Sequence, residues 1–171
     1  IRLSLVGSEM CIRDSLGIMQ LTQLPGGFSA AQERQSGGVE GVPPFLPLIC
    51  YEVIFPNEIR RQPGDAFILN VTNDAWYGDT PGPYQHLAHA RLTAVALGLP
   101  LVRAANSGIS IVTDSAGRDV ARIGLGERGT IAAALPAPGG QTVFAQYGSL
   151  VFWLMSAAAL LTVSTLRRSH S

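Results

Sequence analysis

A largely apolar run of β-forming residues at 66–72 (AFILNVT) is the feature that most constrains the fold of this chain. A strand of this composition is typical of a sheet that is covered on both faces, as in α/β proteins. It leads directly into the polar loop 73–78 (NDAWYG). In α/β proteins, sites form in loops at the carboxyl ends of such strands. The segment therefore predicts a central strand with a candidate site at its end.

Helix and strand patterns alternate along the middle of the chain. The helical pattern at 84–97 stops at Gly98 with Pro100 beyond it, and the turn sequence DSAG is typical of a β-hairpin. In chain order we predict a strand at 47–50, a helix at 53–61, the central strand at 66–72, a helix at 84–97, a strand at 101–105, a hairpin at 109–113 and 118–123, a strand at 130–135 and a linker at 136–140. This order predicts a mixed α/β sandwich.

The beginning of the chain differs in character from this middle part. Residues 5–15 (LVGSEMCIRDS) match the translation of a sequencing-library adapter. We therefore expect residues 1–15 to be an artefact, the genuine reading frame to enter near Leu16, and the gene to be truncated at its 5′ end. Residues 16–44 are rich in Gly, Gln, Ser and Pro and predict a loop that leads into the fold.

The end of the chain is apolar. Residues 149–166 (SLVFWLMSAAALLTVSTL) carry no charge, are about long enough to cross a hydrocarbon core, and are followed by Arg167 and Arg168. We predict a transmembrane helix at 147–166 and, by the positive-inside rule, a cytoplasmic tail at 167–171. The rest of the chain would then lie on the opposite face of the membrane. A buried helix rich in Ala, Ser and Thr is the alternative.

Charge and cysteine content restrict the partners and cofactors. The formal net charge is +0 and the pI is about 7.0, so nothing in the composition favours nucleic acid. The chain has two Cys, Cys11 and Cys50, which lack the spacing of a metal site. His86 and His89 lie on one predicted helix but have no carboxylate at a matching spacing. We expect no metal, no cofactor and no nucleic-acid partner.

Cys50 ends the predicted strand at 47–50 and is followed by Tyr51 and Glu52. A thiol at a strand end, beside the backbone N–H groups of a starting helix, can be held as thiolate and can have an oxyanion site nearby. A lone Cys on an apolar segment is more often a small buried core residue. The local sequence leaves both interpretations open.

Several motifs occur together and in a fixed order, namely ICYEVIFP at 49–56, NDAWYG at 73–78, GPYQH at 82–86 and PLVRAANSGIS at 100–110, before the apolar tail. Together they resemble the C-terminal part of the bacterial apolipoprotein N-acyltransferases. Members of that family have a bundle of membrane helices, an extracytoplasmic carbon-nitrogen hydrolase (nitrilase-like) domain and one last helix. The resemblance implies an α/β fold over 45–140, the C-terminal part of a nitrilase-type αββα sandwich, followed by one transmembrane helix in the bacterial inner membrane.

The resemblance also implies a reaction. Members of the family transfer an acyl chain from a phospholipid to the N-terminal amine of the diacylglyceryl cysteine of an apolipoprotein, through a thioester on the Cys of a Glu, Lys, Cys triad. Cys50 matches the nucleophile, the Tyr51 backbone N–H matches an oxyanion donor, and Glu52 matches a supporting carboxylate. A thioester suits the task because thiolate is both a good nucleophile and a good leaving group.

Other residues in the motifs are weaker candidates. Asp74, Trp76 and His86 could bind substrate or shape the site. Asp74 and Trp76 could instead cap and pack the turn after the central strand. Arg103, flanked by apolar residues, is expected to pair with a carboxylate inside the fold.

The chain departs from the family pattern upstream of Cys50. It contains no Lys, and Glu33 and Glu40 lie in a Gly-rich segment without the family's surroundings. We therefore expect the 171-residue chain to be inactive by itself. A soluble nitrilase-type amidase and a membrane-anchored module without catalytic activity are the alternative functions.

Overall fold

A computed structural model describes the backbone of residues 35–169 and the side chains of residues 35–165. Within them, one six-stranded mixed sheet has its strands in chain order. The strands are β1 (Gly37–Val39), β2 (Val42–Ile49), β3 (Phe67–Asn73), β4 (Leu101–Asn106), β5 (Ser110–Thr113) and β6 (Asp119–Ile123). Strands β2, β3 and β4 are parallel and the other neighbours are antiparallel. The carboxyl ends of the three parallel strands therefore meet at one edge of the sheet.

Residues 35–169 also form five helices, of which the first three follow β2 and β3. They are a 3-10 helix at Cys50–Ile54, a second at Asp74–Tyr77, α1 (Gly82–Leu97), α2 (Val143–Tyr147) and α3 (Leu150–Ser169). Helix α1 connects β3 to β4, as parallel neighbours require. It stops at Gly98, whose φ of 66° is readily adopted only by glycine and whose N–H binds the carbonyls of the last turn.

The apolar core lies between the sheet and α1. Pairing in register places Leu46, Ile68 and Leu101 side by side on one face of the sheet. These side chains belong to a buried cluster that includes, from α1, Leu87, Ala90, Ala94 and Leu97. Helix α1 is therefore fixed against the parallel strands, and its side chains have defined positions relative to their carboxyl ends.

Most of the predicted elements are confirmed. The central strand, the helix before Gly98, the strand after it and the hairpin all lie within two residues of their predicted bounds. The mixed α/β class is confirmed as well. Residues 35–169 contain one sheet, so the second sheet of the predicted sandwich is not among the elements that the structure describes.

The predicted helix at 53–61 is wrong. A 3-10 helix begins earlier, at Cys50, because the Glu52 Oε2 accepts the Ile49 N–H at 2.8 Å and closes the turn there. This helix ends at Ile54, and isolated turns follow it. Pro56 has no N–H, so it cannot extend the hydrogen-bonding pattern.

Two further boundaries are corrected. The predicted strand at 130–135 is wrong, because residues 124–142 form neither strand nor helix; the Ala-rich sequence there has low β propensity. The strand predicted at 47–50 is longer and starts at Val42, and β1 precedes it, so part of the predicted loop at 16–44 is strand. The expectations for residues 1–15 and 16–34 lie outside the described residues.

The membrane span predicted at 147–166 is not confirmed. Helical structure is present there, but it is divided at Gly148, which has a φ of 58°, into α2 and α3. In the part of the chain that the structure describes, no helix combines the length and the apolar character needed to cross a membrane. In the predicted tail at 167–171, α3 continues to Ser169.

Candidate active site

Buried polar side chains lie where the parallel strands end. Pairing in register places Asn70 and Arg103 side by side on the face that carries the core, next to Leu48 of the buried apolar cluster. Asn70 is 0% exposed and Arg103 is 2% exposed. Buried polar groups destabilise a fold unless they find hydrogen-bond partners. Their partners identify the candidate site.

Cys50 lies on a sharp turn directly after β2. Its φ is 52°, in the left-handed region that non-glycine residues seldom adopt, and its side chain is half-buried. Such a conformation costs on the order of 1–3 kcal/mol and persists only where the surrounding structure enforces it. A strained strand-to-helix turn is also how α/β hydrolases present a nucleophile.

Glu52 and Tyr51 flank this turn. Glu52 is buried, and its Oε2 accepts the backbone N–H of Ile49 at 2.8 Å, so the carboxylate ties the 3-10 helix to the end of β2. The Tyr51 ring centroid lies 5.2 Å from that of His86. Both contacts hold the backbone on either side of Cys50.

The carbonyl oxygen of Cys50 faces two side-chain nitrogens from other elements. Asn70 Nδ2, on β3, lies 3.3 Å from it, and His86 Nε2, on α1, also lies 3.3 Å from it. Asn70 Nδ2 donates to the Leu48 carbonyl as well, at 3.1 Å. Strand β3 and helix α1 therefore both contact the backbone of the predicted nucleophile.

Asp74, His86 and Arg103 form the centre of this network. Arg103 Nη2 donates to Asp74 Oδ2 at 2.8 Å, and His86 Nδ1 lies 2.9 Å from Asp74 Oδ1. Arg103 Nη1 donates to the side-chain oxygen of Asn70, and the Thr72 hydroxyl donates to Asp74 at 3.1 Å. The expectation that Arg103 pairs with a buried carboxylate is confirmed.

Burial and charge act in opposite directions on the ionisable groups. Burial favours neutral Asp74, but the His86 hydrogen bond and the Arg103 charge outweigh it, so the pKa of Asp74 lies below its ordinary value of 3.8. Burial lowers the pKa of Arg103 from its ordinary value, although Asp74 opposes the shift. Burial and then nearby negative charges raise the pKa of Tyr77 to about 12, so its hydroxyl stays protonated at neutral pH.

Gly108 makes room for the Asp74 carboxylate. A Cβ at Gly108 would lie 2.4 Å from Asp74 Oδ2, so any side chain there would displace the carboxylate from Arg103. Gly108, Asn70 and Tyr77 are not among the residues predicted from the sequence. An amide within an apolar strand could have indicated Asn70, because a buried amide needs partners.

The structure brings together most of the predicted site residues, namely Cys50, Tyr51, Glu52, Asp74 and His86. Asp74 is a buried partner of Arg103, which favours the structural role left open for it. Trp76, by contrast, is 88% exposed on the 3-10 helix after β3. Among residues 35–165, no three His, Cys, Asp or Glu side chains are grouped so as to hold a metal ion.

Sequence comparisons with known proteins identify relatives of the chain. The carbon-nitrogen hydrolase family model matches residues 29–143. A protein named apolipoprotein N-acyltransferase from Rhodopseudomonas palustris is 45% identical over 160 residues, which is 92% of this chain and 30% of that protein. Proteins of the same name from Bradyrhizobium diazoefficiens and Brucella melitensis are 48% and 43% identical, over 88% and 91% of this chain and 28% and 30% of their own lengths.

These relatives are homologous to the chain along most of its length. The chain spans no more than 30% of the length of these three curated relatives, so it matches only one part of each. The matched family segment includes every residue of the network around Cys50. The chain belongs to the carbon-nitrogen hydrolase family.

Proposed function

We propose that this chain is the C-terminal part of an acyltransferase that transfers an acyl chain from a membrane phospholipid to the N-terminal amine of the diacylglyceryl cysteine of an apolipoprotein. The observation that carries the proposal is the backbone of Cys50, a half-buried thiol residue with a φ of 52° at the end of β2. Strain of this kind is concentrated at functional sites. The names of the relatives supply the acceptor class.

The first half-reaction forms a thioester. A general base removes the proton of the Cys50 thiol, and the thiolate attacks the ester carbonyl of the phospholipid. The Tyr51 N–H donates to the oxyanion of the tetrahedral intermediate. That intermediate collapses with loss of the lysophospholipid oxygen, which takes up the proton, and the acyl group stays on sulfur.

The second half-reaction forms the amide. The amine of the acceptor attacks the thioester carbonyl, the thiolate of Cys50 leaves, and the amine proton passes to the base. Such a sequence gives ping-pong kinetics. The family resemblance assigns the base to a Glu and a second oxyanion donor to a Lys; this chain contains no Lys, so we expect it to be inactive without further sequence.

The proposal also covers location. We place α3 in the bacterial inner membrane with Arg167 and Arg168 on the cytoplasmic side, and the sheet on the periplasmic face. Large apolar side chains of α3 are exposed, among them Phe152 at 63%, Trp153 at 65% and Leu160 at 72%. A continuous apolar surface of this kind is typical of a membrane or protein contact.

The test uses the full-length protein, meaning this chain from Leu16 together with whatever its gene encodes before that residue. Incubation with phosphatidylethanolamine should yield an acyl-protein that hydroxylamine releases, with the acyl group located on Cys50 by mass spectrometry. The Cys50→Ser variant should not transfer an acyl group to a diacylglyceryl peptide. Transfer that persists in this variant excludes the proposed nucleophile.

A second measurement separates the proposal from a soluble amidase. The full-length protein should stay in the membrane pellet after alkaline carbonate extraction. It should also form N-acylated peptide faster than it hydrolyses a small amide. Release by carbonate together with amide hydrolysis and no transfer would instead identify an amidase.

A further inference from the structure

The peptide group between Cys50 and Tyr51 links the buried network to the proposed reaction. A trans peptide is planar, so its C=O and its N–H point in opposite directions. The Cys50 carbonyl faces inward, to Asn70 Nδ2 and His86 Nε2, each 3.3 Å away. The Tyr51 N–H therefore points away from these two side chains. Rotation of this one peptide would move both groups together.

We infer that Asn70 and His86 are positioning residues that aim the Tyr51 N–H at the oxyanion by holding the Cys50 carbonyl. This inference rests on the proposed function, in which that N–H stabilises the tetrahedral intermediate. A donor serves an oxyanion only when it is held about 3 Å from the position that the charged oxygen will occupy. Asn70 and His86 keep the Tyr51 N–H in this orientation because they contact the carbonyl of the same peptide group.

Both positioning residues are themselves held. Asn70 is 0% exposed and accepts a hydrogen bond from Arg103, which leaves its Nδ2 directed at the backbone of Leu48 and Cys50. His86 is 2% exposed and lies 2.9 Å from Asp74 through Nδ1, with Arg103 Nη2 3.2 Å from the same nitrogen. Because both side chains are packed on rigid elements, the carbonyl has little freedom to rotate.

The two ring nitrogens of His86 allow a positioning role to be separated from a purely structural one. Nε2 faces the Cys50 carbonyl and Nδ1 faces Asp74. A carbonyl oxygen only accepts, so this contact is a hydrogen bond when Nε2 is protonated. Gln places its amide nitrogen near the position of Nε2, and Asn places its amide near that of Nδ1. Gln therefore keeps the contact with Cys50, whereas Asn keeps only the contact with Asp74.

The experiment compares His86→Gln with His86→Asn in the full-length protein. Two rates are measured for Cys50: alkylation by iodoacetamide, which needs no oxyanion, and acylation by a nitrophenyl ester, which does. We expect His86→Asn to slow acylation about 10- to 100-fold, which is less than the rate loss caused by removing an oxyanion donor completely. It should change the rate of alkylation less than twofold. His86→Gln should acylate within about threefold of the unchanged protein. His89→Asn, on the exposed side of α1, is the matched control and should change neither rate.

A second variant keeps the inference testable if His86→Asn does not fold. Asn70→Asp keeps the oxygen that binds Arg103 but loses the donor to Cys50, so acylation should again fall more than alkylation. Equal rates for His86→Gln and His86→Asn, or equal losses of acylation and alkylation, would overturn the inference. If the unchanged protein is acylated by the nitrophenyl ester but not by phospholipid, the proposed function fails while the comparison of variants still decides the positioning role.

Discussion

Cys50 carries a backbone conformation that its side chain disfavours. At a φ of 52° a Cβ crowds the backbone, and only glycine is free of this penalty. We expect Cys50→Gly to be more stable to urea than Cys50→Ala by about 1 kcal/mol, although both remove the thiol. In the middle of an ordinary strand, a protein with glycine is less stable than one with alanine by about 0.5–1 kcal/mol.

Ala104 provides the control for this comparison. It is exposed on β4 and has no left-handed backbone. Ala104→Gly should therefore lower the free energy of unfolding, in the usual order. Equal stabilities of the two Cys50 variants would show that the turn relaxes readily and that the thiol is not held by strain.

Asp74 is the only carboxylate that contacts Arg103 among the described residues, and both side chains are 0% exposed. We expect Asp74→Asn to lower the free energy of unfolding by about 3–5 kcal/mol, because it leaves a buried guanidinium without a counter-charge. The control is Asp119→Asn: its carboxylate pairs with Arg91 at 2.7 Å but is 38% exposed. That substitution should cost less than about 1 kcal/mol in the same urea titration.

The same carboxylate makes stability depend on pH. Folding lowers the pKa of Asp74, so its ionised form stabilises the fold fully above the unfolded pKa of about 3.9, and this contribution is lost as the pH falls through the lower folded value. Unfolding measured between about pH 6 and 3 should show the difference between the unchanged chain and Asp74→Asn shrinking as acid is added. A difference that stays constant over this range would mean that Asp74 has an ordinary pKa in the fold.

At the level of elements, the C-terminal end of α1 contacts residues 139–140, which are distant in sequence. Gly98 has a φ of 66°, and its carbonyl accepts the Gly139 N–H at 2.9 Å. A Cβ at Gly98 would lie 2.5 Å from the Gly140 carbonyl oxygen, whereas one at Gly126, with a φ of 75°, would meet nothing within 4 Å. We expect Gly126→Ala to cost about 1 kcal/mol from conformation alone and Gly98→Ala at least twice that. Equal losses of unfolding free energy would show that residues 139–140 do not pack against the end of α1.

An element could be predicted when the residues that determine it lie within its own sequence. The helix at 84–97 has a helical pattern and a glycine stop within its own sequence, and it was predicted correctly. The helix at 53–61 was not, because a single side-chain bond from Glu52 to Ile49 starts the turn earlier. The strand predicted at 130–135 is wrong because a strand needs a neighbouring strand to pair with, and β6 does not pair with that segment.

Only the part of the site that is local in sequence could be predicted. Cys50 and Glu52 are neighbours in one motif, so the sequence shows them together. Asn70 and His86 lie 20 and 36 residues from Cys50, and the bonds that bring them to its carbonyl depend on the register of β3 and the docking of α1. Arg103 was recognised as a buried ion-pair partner because an arginine among apolar strand residues has few other stable environments.

For the whole molecule, the two faces of the sheet differ. One face is covered by α1, whereas the opposite face carries Val71, which is 42% exposed, beside Ile49 and Ala104 in register. In a nitrilase-type sandwich a second sheet covers this face. We therefore expect a thiol at Val71→Cys to react with maleimide at least tenfold more slowly in the full-length protein, with Cys50 replaced by Ser, than in the 171-residue chain, with Cys11 and Cys50 replaced by Ser.

Ala116→Cys, at the exposed turn between β5 and β6, is the control. Its rate should be similar in the two proteins, because a turn at the end of a hairpin lies away from the face of the sheet that a second layer covers. Slower labelling at both positions would reflect a general loss of access, for example through aggregation. Unchanged labelling at Val71→Cys would mean that this face stays open in the longer protein, and the sheet would then not be one half of a sandwich.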